Sequence, residues 1–147
     1  DRNFITKITK WNKDQLYYCI DLFKERTKTL KELVNEIYEL QDGPQNFDNE
    51  DIKPFIIENS LKILKEIITV LSNQEIFEST ELSKLIKNLA KKLKLPLADL
   101  AKPLRVALTG KTSSPGVFDL LALLEKEESI KRLKFFIKYC QDKVLDH

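Results

Sequence analysis

The chain has 147 residues, 42% of them hydrophobic and 33% charged, with a formal net charge of +2; this is the make-up of a folded domain and excludes a disordered tail or a full multidomain enzyme. Three glycines and five prolines leave no glycine-rich phosphate loop and favour long helices. Two cysteines, Cys19 and Cys140, and a single histidine at the last position, His147, argue against a zinc cluster or a cysteine–histidine catalytic pair, and the thiols read as small apolar core residues in a reducing compartment.

Leu16, Tyr17, Ile20 and Phe23 lie at near-helical spacing and predict a first helix from Asp14 to about Arg26. Leu30, Leu33, Val34, Ile37 and Leu40 form the stripe of a second helix, which Gly43-Pro44 ends. The stretch from Glu39 to Asp51 holds acidic residues and no basic one, and the expected boundary falls there, between subdomains 1–40 and 41–147. Ile57, Leu61, Leu64, Ile68 and Leu71 predict a long buried helix over Ile52–Leu71.

Ser79 and Thr80 offer N-cap hydroxyls to a helix carrying Leu82, Leu85, Ile86, Leu89 and Leu93. A helical piece from Leu97 to Leu108 follows on Leu100, Leu104 and Leu108, with Pro103 expected to kink or restart it. The turn-like run 110–116 leads through Ser114-Pro115, at the expected N-cap and first turn, to a stripe of Val117, Leu120, Leu121 and Leu124. The last helix is expected from about Glu127 to Leu145, on Ile130, Leu133, Ile137, Cys140 and Val144. No alternating strand pattern occurs, so the fold class is all-α, about seven helices in two small subdomains.

Catalytic patterns fail one by one. Gly110-Lys111-Thr112 has the tail of a phosphate-binding P-loop, but Arg105 stands where the first glycine is needed, and the segment leaves a helix rather than a strand. Glu127-Glu128 at a helix start complements the macrodipole. Charge is more telling. From Lys84 to Lys111 the chain carries eight basic residues against one acidic residue, Asp99. Such a concentration beside a turn suits phosphate binding, and it also suits a solvated lysine face.

There is no signal peptide and no apolar run near the roughly 18 residues of a membrane span, which predicts a soluble, cytoplasmic protein. With no methionine and an opening Asp1-Arg2-Asn3-Phe4, the chain reads as a piece of something longer.

Pro103-Leu104-Arg105-Val106-Ala107-Leu108-Thr109-Gly110, then Ser114-Pro115-Gly116-Val117-Phe118, then Leu121-Ala122-Leu123-Leu124 and Lys126-Glu127, in this order and spacing, resemble the anticodon-binding region of bacterial glutamyl-tRNA synthetases. Glu25-Arg26-Thr27-Lys28-Thr29-Leu30-Lys31-Glu32-Leu33 resembles a looser motif of the same region. The likeness covers essentially the whole chain, strongest in its C-terminal third and weak between Gln41 and Leu95. Two positions depart from the usual pattern: Lys102, where glutamine is common, and Glu125, where glycine often follows the Leu-Leu pair.

The resemblance implies a C-terminal helical cage that grips the anticodon stem-loop of glutamate tRNA. Arg26 would read the third anticodon base, while Arg105 and the turn with Ser114, Pro115 and Val117 would lie against the second and first. Unstacked anticodon bases offer edges to a guanidinium fork and faces to apolar contact. Lys84, Lys87, Lys91, Lys102 and Lys111 would position the RNA through its phosphates without reading sequence. The implied parent is a class I aminoacyl-tRNA synthetase that ligates glutamate to tRNA with ATP and Mg²⁺ in an N-terminal catalytic domain; the fragment would carry no cofactor and no catalytic residue, and would be a monomer. A helical protein-interaction module is the competing reading, and a hydrolase the weakest.

Overall fold

The computed structural model describes residues 11–145. Among these residues are six α-helices, one 3₁₀ helix and no strand, in keeping with the all-α expectation, and no helix is long and apolar enough to cross a membrane. His147, the side chain of Val144 and the opening Asp1 to Phe4 lie outside the described residues. The chain divides into two compact units between Gln45 and Asn46.

The first unit holds α1 (Lys13–Phe23) and α2 (Leu30–Asp42), packed on each other. Asn12 and Gln15 close a reciprocal capping box, with Asn12 Oδ1 accepting from Gln15 N–H at 2.8 Å and Gln15 Oε1 from Asn12 N–H at 3.1 Å, so α1 starts one residue before the expected Asp14. It stops short of Arg26. The Arg26 amide bonds back only three residues to the Phe23 carbonyl, and the Thr27 hydroxyl donates to the same oxygen. Thr29 then caps α2 by accepting from Glu32 N–H. Cys19, Phe23, Ile37 and Leu40 are buried, whereas Leu30, the first member of the expected stripe, is 75% exposed at the start of α2. Gly43 ends α2 at φ 75°, ψ 168°, a conformation open essentially to glycine alone.

The second unit corrects the longest expected helix. Residues Ile52 to Leu71 are not one helix: a 3₁₀ helix (Glu50–Phe55) precedes an extended Ile57 and then α3 (Glu58–Ser72). Pro54 is accommodated inside the 3₁₀ helix, and the break itself falls after it, at Ile56 (φ -89°, ψ 67°) and Ile57 (φ -138°, ψ 157°), whose backbones leave the helical region. Ile57 is accordingly 47% exposed, and the buried face of α3 is Ser60, Leu61, Ile63, Leu64, Ile67 and Leu71.

α4 (Ser79–Leu93) starts after Glu78 without a side-chain cap, so Ser79 and Thr80 lie in its first turn instead of capping it. It ends in a Schellman motif: Lys94 is left-handed, its N–H bonds Lys91 O at 3.1 Å, and Leu95 N–H bonds Ala90 O at 3.0 Å. α5 (Leu97–Thr109) runs through Pro103 unbroken, with Leu100, Pro103, Leu104 and Leu108 all buried. Pro103 forfeits its amide bond to Asp99, yet burial of its ring and of its flanking leucines keeps the helix continuous.

α6 (Val117–Leu145) is two arms, 117–124 and 126–145, joined at Glu125 with φ 66°, ψ 171°. It packs on α3, α4 and α5. The first arm buries the expected Val117, Leu120, Leu121 and Leu124. In the second arm the expected Leu133, Ile137 and Cys140 are buried, the buried face extends to Ser129, Arg132 and Phe136, and Ile130 is only half-buried. Burial pushes the thiols of Cys19 and Cys140 up to about 12.

The Glu125 backbone lies where a Cβ costs about 1–3 kcal/mol. Glu125→Gly is expected to stabilise the chain by about 1 kcal/mol after glycine's greater freedom in the unfolded state is subtracted. A higher urea midpoint at unchanged slope would show it; a lower one would mean that the Glu125 side chain itself holds the break.

Candidate nucleic-acid interface

α5 ends at Thr109 because Gly110 turns left-handed, at φ 72° and ψ 13°, with its N–H on Val106 O at 2.7 Å. The Thr109 hydroxyl donates to Arg105 O at 2.8 Å and accepts from Lys111 N–H at 3.0 Å, which pins the chain as it leaves the helix. Arg105, half-buried in the last turns of α5, sends Nε–H to Ser114 Oγ at 2.9 Å. The Ser114 hydroxyl in turn donates to the Pro115 carbonyl at 2.7 Å. The guanidinium is thereby aimed by a relay closed within the turn 110–116, with its Nε edge committed to the protein.

The expected helix start at Ser114-Pro115 is displaced to Val117. The first carbonyl of α6 to be used is that of Gly116, which accepts from Leu120 N–H at 3.1 Å, and Ser114 is engaged by Arg105 instead of capping the helix. A Cβ on Gly116 would come within 3.3 Å of Asp119 Oδ2, so the close approach of this residue to the first turn favours glycine. Pro115 is buried and Val117 is 3% exposed, so their side chains shape the turn from beneath.

Of the predicted site residues, the structure brings Arg105, Ser114, Pro115 and Val117 together, with Lys111 in the same turn. Lys102 is exposed one turn before Arg105 on α5. Lys84, Lys87 and Lys91 fall at steps of three and four along α4, all exposed, and Lys84 pairs with Glu81 at 3.5 Å, a contact worth little in water. Arg26 belongs to the other compact unit, exposed in the turn after α1.

Buried polar residues went unnoticed in the sequence, two of them close to this turn's helices. Ser129 and Arg132 are both buried on the second arm of α6. Ser129 Oγ–H donates to Leu121 O at 3.4 Å, and Arg132 donates from Nη1 to Leu108 O at 3.1 Å and from Nε to Glu128 Oε2 at 3.0 Å. Their signal was their place at i and i+3 on a face otherwise filled by Leu133, Phe136, Ile137 and Cys140.

Residues 3–137 match the family model described as an anticodon binding domain. The chain is 35% identical over 129 residues to glutamate–tRNA ligase 1 of Bartonella bacilliformis, an overlap of 88% of this chain and 27% of that protein. It is 28% identical over 137 residues to glutamate–tRNA ligase 2 of Caldicellulosiruptor saccharolyticus, with 90% and 28% covered. A solved glutamate tRNA ligase from Elizabethkingia meningosepticum, in complex with its amino acid, shares the fold at a TM-score of 0.82 and 24% identity, over 93% of this chain and 28% of that one. The chain thus spans little more than a quarter of the length of these relatives.

Proposed function

The chain belongs to the anticodon binding domain family, and from that premise we propose that it binds and reads the anticodon stem-loop of glutamate tRNA as the C-terminal part of a glutamate–tRNA ligase. What carries this reading is the bond from Arg105 to Ser114, which fixes a half-buried guanidinium in a turn of that family's domain. A guanidinium recognises base edges through its planar fork, and fixing its Nε edge in advance lowers the ordering cost of doing so. Arg105 reads the second or first base. Ser114 aims it, while Pro115 and Val117 hold the backbone of the turn in shape. Arg26 contacts the third base, and Lys84, Lys87, Lys91, Lys102 and Lys111 place the RNA through phosphates.

The relatives' names supply the glutamate specificity. In the whole ligase, ATP and Mg²⁺ would serve a catalytic domain outside this chain, and the residues described here are assigned to RNA alone.

The test is binding of the 147-residue chain to a glutamate-tRNA anticodon stem-loop and to single-base anticodon variants at two salt concentrations. Arg105→Ala is expected to weaken cognate binding by about 1–3 kcal/mol and to flatten the difference between cognate and variant loops. Lys91→Ala should weaken all loops alike and reduce the salt slope by about one. Equal binding of cognate and variant loops by the unmodified chain would overturn the reading and favour a helical protein-interaction module.

A further inference from the structure

We infer that Arg132 is a positioning residue for the reading turn, holding the end of α5 so that Arg105 keeps its aim; this rests on the anticodon reading given above for that turn. An α-helix leaves its last carbonyls without partners inside the helix. At the end of α5 the Val106 carbonyl is taken by the Gly110 N–H, and the Leu108 carbonyl, buried, accepts from Arg132 Nη1, 24 residues further along the chain. Leu108 directly precedes Thr109, whose hydroxyl joins Arg105 O to Lys111 N–H. A buried cation thus grips the backbone between the reader and its turn.

The same helical face grips the other side of that turn. Ser129, three residues before Arg132, donates to Leu121 O on the first arm of α6, the helix into which the turn feeds. The second arm therefore bonds both helices that flank residues 110–116, and Arg132 makes the shorter of the two contacts. Glu128 fixes the rotation of the guanidinium through Nε. Arg132 is 5% exposed, so its effect on RNA must pass through the backbone of α5.

Two readouts separate positioning from mere stabilisation. In the free chain, solvent exchange of the Arg105 Nε–H, followed by nitrogen-15 NMR well below the unfolding temperature, reports the bond to Ser114. With RNA, the ratio of cognate to variant anticodon affinity reports the aim of the fork. Arg132→Lys keeps the charge but loses the fork; it is expected to speed Arg105 Nε–H exchange about tenfold and to cut the anticodon ratio about tenfold, with the salt slope unchanged. Glu128→Gln, at a partly exposed position, is expected to act in the same direction by a few-fold, and it decides the matter should the lysine variant fail to fold.

Unchanged Arg105 exchange in whichever of these variants folds would overturn the inference and leave Arg132 a packing residue. Should the unmodified chain fail to discriminate between anticodons, the anticodon reading falls, while the exchange measurement still decides whether Arg132 positions Arg105.

Discussion

Replacing Phe47 by alanine is expected to cost the second unit about 3–5 kcal/mol, the range for deleting a fully buried phenylalanine ring. Phe47 is 1% exposed, although both its neighbours, Asn46 and Asp48, are exposed. Its ring meets Phe136 edge-on at 4.8 Å, Tyr139 at 5.3 Å and Phe135 at 5.7 Å, all on the second arm of α6. Those three rings are set by one rigid helix and cannot collapse into the space, so the cavity term is felt in full. The next residue continues the anchor: Tyr139 O–H donates to Asp48 Oδ1 at 2.6 Å, and that bond, with burial second, pushes the phenol up to about 12. Against a total stability of about 5–15 kcal/mol, such a loss would remove a large share of the folded state's margin. Urea unfolding at neutral pH measures it, with Phe47→Leu expected to recover part of the loss. A change below about 1 kcal/mol for the alanine variant would mean that the ring is not a core element.

Phe47 also marks where sequence reasoning stops. Helices were legible wherever leucines and isoleucines repeat at three and four, as in α2, α4, α5 and the first arm of α6, because period and burial are the same fact on a helix. An isolated phenylalanine in an acidic, asparagine-rich loop has no period, and only the return of a helix some 90 residues later buries it. The failure at Ile52–Leu71 was different in kind: the apolar pattern runs on through Ile56 and Ile57, and a side-chain period does not report that the backbone leaves the helix there. At the turn, Arg105 and Ser114 could be picked from their motif, but not their bond, since the spacing of nine residues closes only when Gly110 reverses the chain. Glu125 shows the converse. A departure from the expected glycine was legible as a single letter, and the structure keeps the conformation that glycine would favour with a glutamate in it.

Arg132→Ala is expected to destabilise the chain by about 3 kcal/mol, and the asymmetry of its partners says why. Glu128 has 39% of its side chain exposed, so water solvates the carboxylate once the arginine is gone, and little of the loss in Arg132→Ala comes from that partner. The Leu108 carbonyl has no such recourse. It is buried at the end of α5, and its partner from α6 is a guanidinium that also fills the space between the two helices with its aliphatic stem. Leaving that oxygen without a donor costs about 1–3 kcal/mol, and the lost stem adds roughly another 1. Arg132→Met, which restores the stem but not the donor, should therefore recover only about a third of the loss. If Arg132→Met proved as stable as the unmodified chain, the stem and not the bond to the end of α5 would be the stabilising contact, and Arg132 would pack α6 without holding the reading turn.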